Sequence, residues 1–159
     1  MPLIRGGRGS VAPGAAPPPV LDDSDAESRW AAARALAGQA DAVPALAAAL
    51  RRETVPRVRE AILTSLIRTG GSASAEAIVP CLRSEDAGLR AAAIEALQAL
   101  PSAIAPMMAQ LFSDPESDVR LLATELARNM KASDATRLLC DLIEHEPHPN
   151  VCAAAIEVL

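Results

Sequence analysis

The sequence has almost no aromatic residues: one tryptophan, one phenylalanine and no tyrosine occur among its 159 residues. β-Strands favour aromatic and β-branched side chains, and a half-buried strand alternates apolar and polar positions. No stretch of this chain alternates in that way, and alanine is abundant throughout. The composition therefore argues against a sheet and predicts an all-α protein.

Cysteine is also scarce. Cys81, Cys140 and Cys152 form an odd set without paired spacing, which argues against a disulfide framework. Cys81 and Cys140 lie in apolar segments with helical periodicity, where a thiol behaves as a small hydrophobic group. We therefore expect these two side chains to be buried and unreactive.

Only two histidines are present, both in the segment EHEPHPNVC, residues 144–152. His145 and His148 could combine with nearby carboxylates and a thiol to bind zinc, but their spacing matches no compact zinc motif. We predict a polar loop between helices, with no metal and no cofactor. The residues of the rejected zinc site are His145, His148, Glu144, Glu146 and Cys152.

An excess of positive charge and long apolar runs are missing too. The net charge of −5 and a pI near 5.0 argue against nucleic acid as a partner, because phosphate neutralisation needs a basic surface. The first twenty residues are rich in glycine, proline and alanine, and contain no run long enough for a signal peptide or membrane helix. We predict a flexible leader over residues 1–22, a repeat domain over residues 23–159, no membrane contact and a cytoplasmic location.

One short pattern recurs five times along the chain, for example as VREAILTSL in residues 58–66 and LRAAAIEAL in residues 89–97. We call its second residue the anchor. Small or apolar residues stand mainly one position before each anchor and three and seven positions after it, which forms one stripe of a helix. The anchors follow one another at intervals of 30, 31, 30 and 32 residues, and they are Arg29, Arg59, Arg90, Arg120 and Cys152.

A second apolar element lies between successive anchored helices, and each copy carries two apolar residues four positions apart. That spacing also predicts a helix. The four elements cover residues 42–52, 74–84, 102–113 and 134–144. Two helices in each repeat of about 30 residues, joined by short loops, are typical of an α-solenoid.

Residues that begin, end or bend helices support this division. Asp41 is expected to begin the first of these elements, and Asp114-Pro115 is expected to open a later anchored helix as N-cap and first-turn proline. The pair Gly70-Gly71 is expected to end a helix in a left-handed conformation. Pro80 and Pro106 are expected to bend the helices that contain them.

The repeat resembles a known family. The pair Val58-Arg59, then Leu66, then a helix ending near Leu82 and the acidic loop Glu85-Asp86 resemble the short HEAT-like repeat named after phycobilisome lyases. The resemblance continues in phase over residues 24–159. It implies a right-handed α-solenoid of about four and a half HEAT-like helix pairs.

The resemblance also implies a role for the anchors. In such repeats the arginine near the start of the second helix meets an acidic residue of a neighbouring loop, which forms a ladder along the stack. We therefore expect Arg29, Arg59, Arg90 and Arg120 to pair with Asp25, Asp86 and Asp118.

A binding surface follows from the same resemblance, because the second helix of each repeat usually lines the concave face of such solenoids. Positions on this face that point away from the core carry a mixture of apolar and acidic side chains, which suits a protein partner with basic and apolar residues. The predicted partner-binding residues are Trp30, Arg34, Glu60, Thr64, Arg68, Glu95, Gln98, Leu121, Glu125 and Arg128.

The family that the repeat resembles includes enzymes, and these need particular residues. A deoxyhypusine hydroxylase needs histidine-glutamate pairs on its helices, whereas this chain has Arg59-Glu60, Arg90-Ala91 and Arg120-Leu121 at those positions. A DNA glycosylase of this type needs a basic face. We predict no catalytic residues and a non-enzymatic protein-interaction scaffold or adaptor. A bilin-lyase-like chromophore chaperone and a regulatory subunit of a bacterial signalling complex remain alternatives.

The last helix stops at Leu159, only seven residues after its anchor. We expect Ile156 and Leu159 to form an apolar surface that no following repeat covers. Two outcomes are expected: the natural chain continues beyond residue 159, or the protein forms a weak homodimer through its C-terminal repeat.

Overall fold

The computed structural model describes residues 20–159, and every regular element in that range is helical. The prediction of an all-α solenoid is confirmed. The α-helices in chain order are α1 (Ala26–Ala35), α2 (Val43–Arg52), α3 (Pro56–Thr69), α4 (Gly71–Ile78), α5 (Ala87–Gln98), α6 (Pro101–Ile104), α7 (Met108–Phe112), α8 (Ser117–Ala127), α9 (Ala132–His145) and α10 (Pro149–Val158).

The helices pack in two layers. The anchored helices α1, α3, α5, α8 and α10 contact one another in sequence and form what we call the anchored layer. Helices α2, α4, α6 with α7, and α9 form the opposite layer. The predicted stripe faces the core between the layers: Val58, Ile62 and Leu66 of α3 are almost completely buried.

Small side chains let neighbouring helices approach closely. Ala33 of α1 is fully buried. The Ser65 hydroxyl of α3 donates a hydrogen bond to the Ala33 carbonyl oxygen at 2.8 Å. Ala93 of α5 and Ala123 of α8, each three positions after its anchor, are also fully buried. The abundance of alanine therefore reflects packing between helices that are in contact on several sides.

The opposite layer is interrupted at Pro80 and Pro106, the two prolines that were predicted to bend its helices. A 3₁₀ segment over Val79–Arg83 follows α4 and contains Pro80, and another over Ala105–Met107 contains Pro106 and separates α6 from α7. Proline lacks an N–H group and its ring crowds the preceding turn, so the regular α-helical ladder cannot continue through it. Gly70 and Gly71, with φ of 70° and 75°, form the left-handed junction between α3 and α4.

Two predicted helix starts are wrong. Asp41 lies within a 3₁₀ turn over Ala40–Ala42, and no side chain caps α2. Helix α8 begins at Ser117, with Glu116 at its N-cap position, rather than at Asp114-Pro115. Asp114 instead belongs to the loop before α8, where its side chain accepts a hydrogen bond from the Glu116 N–H.

The five loops that precede the anchored helices within residues 20–159 share one hydrogen-bond pattern. Each anchor side chain donates to the carbonyl oxygen of the residue six positions earlier, at 2.6 to 2.9 Å for the arginines and 3.5 Å for the weaker Cys152 donor. The side chain of that earlier residue accepts the N–H two positions further on. We call these five the turn residues: Asp23, Glu53, Ser84, Asp114 and Glu146.

The turn residues also provide carboxylates for the arginine of the preceding repeat. Arg29 binds Glu53 through two hydrogen bonds of 2.8 and 3.0 Å, and Arg120 binds Glu146 through two of 2.6 and 2.8 Å. The side chains of Glu53 and Glu146 are only 5% and 1% exposed. Each pair ties one repeat to the next by a planar fork that matches the carboxylate.

The ladder differs from its expected composition. Arg59 pairs with Asp86, but Asp25 accepts the N–H of Ser28 as the N-cap of α1. Asp118 is two residues before Arg120 on the same helix, so the two side chains point to different sides, and Asp118 forms no salt bridge within residues 20–159. Expecting Asp25 and Asp118 as ladder partners was therefore wrong.

Arg90 lacks a carboxylate partner within the described chain. It donates to the carbonyl oxygens of Ser84 and Glu85. The turn residue that follows Arg90 is Asp114, whose side chain is shorter than that of glutamate. Its carboxylate pairs with Arg83 of the opposite layer. All four arginine anchors therefore contact the loop before their own helix, but within the described residues only Arg29, Arg59 and Arg120 form an ion pair with a carboxylate.

The ion pairs change the acidity of the buried carboxyl groups. Hydrogen bonds from Arg29 lower the pKa of Glu53 from its ordinary value of 4.5 to about 2, against the opposing effect of burial. Hydrogen bonds from Arg120 likewise lower the pKa of Glu146. Both carboxylates therefore stay charged well below neutral pH.

We predict that Arg120→Ala lowers the free energy of unfolding by about 2 to 3 kcal/mol, because it leaves the Glu146 carboxylate buried without its partner. Arg90→Ala should cost about 1 kcal/mol, since it removes only hydrogen bonds to backbone carbonyls. Urea denaturation measures both values, and Arg137→Ala, 65% exposed on α9, is the control. Equal losses for Arg90 and Arg120 would contradict this ranking.

We further predict a loss of stability in acid that depends on Glu53. Because folding lowers its pKa, the ion pair stabilises the folded state above pH 4.5, and this contribution is lost as the pH falls from about 4.5 towards 2. Urea denaturation between pH 2.5 and 6 should give a steeper pH dependence for the native chain than for Glu53→Gln. Parallel curves would mean that Glu53 is not linked to folding.

Candidate protein-binding surface

Three of the predicted partner-binding residues line one groove between α3 and α5. Glu60 and Thr64 extend from α3, and Glu95 extends from α5; all three are exposed. The groove has a volume of about 380 Å³. These positions lie together because α3 and α5 are neighbours in the anchored layer.

The floor of the groove is apolar. It contains Leu63 and Ile67 of α3 and Leu89, Ala92 and Ala96 of α5. Leu63 is 4% exposed and Ile67 is half-buried, so the apolar surface of α3 is wider than the stripe read from the sequence. These floor residues were not predicted from the sequence, because they lie at the boundary between the core stripe and the exposed face.

The rim of the groove is acidic. Glu60 and Glu95 make no salt bridge and no side-chain hydrogen bond within residues 20–159. At one end the Arg59–Asp86 ion pair closes the groove, and Arg59 is partly buried there. The two rim carboxylates therefore give the groove local negative charge over an apolar surface, an arrangement that attracts basic and apolar groups.

Trp30 lies at the neighbouring junction of α1 and α3, beneath two arginines. The guanidinium groups of Arg34 and Arg57 lie over its ring at 4.6 and 4.5 Å from the ring centre. Arg57 also binds Glu27 at 2.7 Å, and both of these side chains are about 60% exposed. We call Trp30, Arg34 and Arg57 the Arg–Trp corner. Nothing in the sequence pattern indicated Arg57, because its contact with Trp30 depends on how α1 and α3 pack.

The other predicted residues of this surface lie outside the groove. Gln98 donates a hydrogen bond to the Glu125 carbonyl oxygen at 3.3 Å, which links α5 to α8. Arg128 binds Glu125 at 3.1 Å and lies 4.0 Å from Glu157, so it offsets the acidic charge at this end of the layer. Leu121 is half-buried against the core, and Arg68 is exposed on α3.

A second cavity, of about 600 Å³, lies between α7, α9 and the loop that follows α9. His145 and His148 border it, and the Glu146 carboxylate beside them is held by Arg120. Within residues 20–159 no group of three or more histidine, cysteine, aspartate or glutamate side chains is arranged to hold a metal ion.

The cysteines differ in their surroundings. Cys81 is buried, as expected, and burial raises the pKa of its thiol. Cys140 is exposed, so the expectation that it would be buried was wrong. The core side of α9 is formed by Leu138, Leu139 and Leu142, and Cys140 lies outside that stripe.

The two ends of the described chain differ in the burial of their apolar residues. Leu21 packs against the core, although residues 1–22 were predicted to be a flexible leader; residues 1–19 lie outside the described range. At the other end Ile156 and Leu159 are 61% and 55% exposed. Self-association through this C-terminal surface stays a prediction.

Over residues 20–159 no single helix has the length and apolar composition to cross a membrane. One helix pair, Ala87–Gln98 with Pro101–Phe112, meets those criteria only when taken together, and it is bent by 99°.

Two layers of helices that repeat every 30 to 32 residues define the protein as an α-solenoid. The family model of HEAT repeats matches residues 19–98, half of the sequence. The chain therefore belongs to the HEAT repeat family, and the resemblance inferred from the sequence is confirmed.

A solved structure shows a similar fold. The complex of CpcE and CpcF of phycocyanin lyase from Nostoc sp. PCC7120 is similar over 99% of this chain and 68% of that chain, with a TM-score of 0.53 and 23% sequence identity. An engineered protein matches 87% of this chain and 74% of its own length at 20% identity, with a TM-score of 0.40 that is too low to support an argument. The comparison with curated protein sequences gives no match.

The acidic residues should separate into two classes by their effect on stability. We predict that the double substitution Glu60→Gln and Glu95→Gln changes the free energy of unfolding by less than about 0.5 kcal/mol, because both side chains are exposed. Glu53→Gln should destabilise the protein clearly, because the Glu53 carboxylate is buried against Arg29. Urea denaturation at pH 7 compares the variants. A large loss in the double variant would mean that the rim carboxylates support the fold.

Proposed function

We propose that this chain is a non-enzymatic scaffold or adaptor that binds a partner protein along its anchored layer, the face that is concave in such solenoids. The observation that carries the proposal is the groove between α3 and α5. It combines an apolar floor with exposed carboxylates at Glu60 and Glu95. Structural carboxylates such as Glu53 are paired, whereas these two have no salt-bridge partner within residues 20–159.

The chemistry of the groove favours a partner segment that is both apolar and basic. Lysine and arginine can lay their aliphatic stems on Leu63 and Ile67 while their charged groups reach the carboxylates of the rim. An amphipathic helix presents such side chains on one face, at positions three and four residues apart. We therefore propose an amphipathic basic helix of the partner as the bound element.

A bilin-lyase-like chromophore chaperone is the second candidate. It has the support of one similar fold, that of the lyase complex, in which CpcE and CpcF are two different subunits. Against it stands the scarcity of aromatic groups: the chain has a single tryptophan, and Arg34 and Arg57 cover its ring. Adding bilin to the purified protein separates the candidates, because a lyase-like chaperone should produce a new visible absorption band.

A regulatory subunit of a bacterial signalling complex would also bind a protein, and identifying the partner decides that alternative.

Charge reversal in the groove tests the scaffold proposal. We predict that Glu60→Lys with Glu95→Lys weakens partner binding at least tenfold at low salt, mainly through slower association, because it replaces attraction by repulsion. The matched control is Glu76→Lys with Glu144→Lys, which makes the same charge change at exposed positions of α4 and α9 in the opposite layer.

The experiment has two stages. Tagged native chain and both double variants are used as bait in a native lysate, and proteins retained by the native chain and the control but lost from the groove variant are identified. The purified partner is then titrated at several salt concentrations, with far-UV circular dichroism as a check of helicity. Equal binding by all three baits at low salt would rule out the groove as the interface.

A further inference from the structure

We infer that the Arg–Trp corner is a second recognition element, which binds a carboxylate of the same partner and thereby fixes the direction in which the partner helix lies. This inference rests on the proposed function of the groove and adds a requirement to it. The partner helix should carry an acidic residue over the junction of α1 and α3, and a basic residue over the junction of α3 and α5.

Stacking on Trp30 holds two guanidinium groups in place, and the stacking itself uses none of their hydrogen-bond donors. Arg34 and Arg57 both lie over the Trp30 ring, and Trp30 is itself half-buried against the core. Stacking on an aromatic ring orients the guanidinium plane and leaves its N–H groups available for a carboxylate. Less conformational freedom is therefore lost when the carboxylate binds.

Hydrogen-bond donors of both Arg34 and Arg57 remain available to a partner carboxylate. Arg34 forms no salt bridge with any residue in the range 20–159. Arg57 uses two of its nitrogen atoms for Glu27, at 2.7 and 3.4 Å, in an ion pair exposed to solvent. Exposed pairs of this kind are weak, so a partner carboxylate can bind beside Glu27 or replace it.

The surrounding charge favours a carboxylate of an acidic protein segment over a nucleic acid. Glu27 lies beside the corner and Glu60 lies on the next turn of α3 after Arg57. The whole chain carries a net charge of −5. A single carboxylate can approach an arginine of the corner in this setting, whereas a polyphosphate chain would meet repulsion along most of its length.

The spacing of the two elements sets the spacing expected in the partner. Adjacent helices of a packed layer lie about 8 to 10 Å apart, so the corner and the groove are separated by roughly one such distance. A helix rises 1.5 Å per residue, and about two turns of the partner helix span that separation. An acidic and a basic residue about seven positions apart on one face would therefore contact the corner and the groove together.

The chain offers a direct readout because Trp30 is its single tryptophan. The probe is a 20-residue acetylated helical peptide with a leucine stripe, glutamates in one half and lysines in the other. The comparison peptide has glutamine in place of each glutamate. Nitroxide is attached to either end of the first peptide, and quenching of Trp30 fluorescence reports which end lies at the corner.

We expect the peptide with glutamates to bind about fivefold more tightly than the glutamine peptide at low salt. Arg34→Gln with Arg57→Gln should remove this difference, whereas the matched control Arg51→Gln with Arg137→Gln, at exposed positions of the opposite layer, should keep it. Nitroxide at the acidic end should quench Trp30 strongly, and nitroxide at the basic end should not.

Equal affinity for the glutamate and glutamine peptides would overturn the inference, and so would equal quenching from both ends of the peptide. Binding of the glutamine peptide through Glu60 and Glu95 would then leave the proposed function intact. If a single-stranded oligonucleotide changes Trp30 fluorescence more strongly than the acidic peptide does, the corner recognises phosphate instead. The quenching measurement uses the native chain, so it holds even if the arginine variant fails to fold.

Discussion

The structure depends on the hydrogen bond between each anchor side chain and the carbonyl oxygen six residues before it. A short loop between two helices exposes backbone carbonyls that the helices themselves cannot satisfy. An arginine with five donors can satisfy the loop and still bind a carboxylate from the next repeat, as Arg29 and Arg120 do. At Arg29 and Arg120 one side chain therefore fixes both the turn within a repeat and the contact between repeats. The hydrogen bond to the loop is common to all five anchors and recurs with the period of the solenoid.

The fold could be predicted largely from the sequence because the anchor interval and the apolar stripe both follow from helical geometry. The carboxylate partners could not be assigned from the anchor helices alone. Glu53 and Glu146 stand six residues before the next anchor, where acidic residues recur in four of the five turn positions, so the signal was present but was read at the wrong positions. The Arg57 contact with Trp30 left no such signal, because it joins side chains whose relation is set only by the packing of two helices.

The candidate site could be predicted only in part. Periodicity identifies which positions of each anchored helix face outward, and Glu60, Thr64 and Glu95 do share one groove. It does not determine which outward charges neutralise one another, and Arg128 lies near both Glu125 and Glu157. The groove between α3 and α5 carries two exposed carboxylates that form no salt bridge within residues 20–159, whereas Glu125 and Glu157 lie near Arg128.

The two layers also differ in mechanical continuity. Helices α3, α5 and α8 of the anchored layer are uninterrupted, whereas the opposite layer contains 3₁₀ segments at Pro80 and Pro106. Such segments have weaker hydrogen-bond geometry than α-helix and often act as hinges. We therefore expect the opposite layer to yield more than the anchored layer when the solenoid is bent. Bending of this kind would change the curvature of the solenoid. It would leave the arrangement of side chains within each anchored helix unchanged.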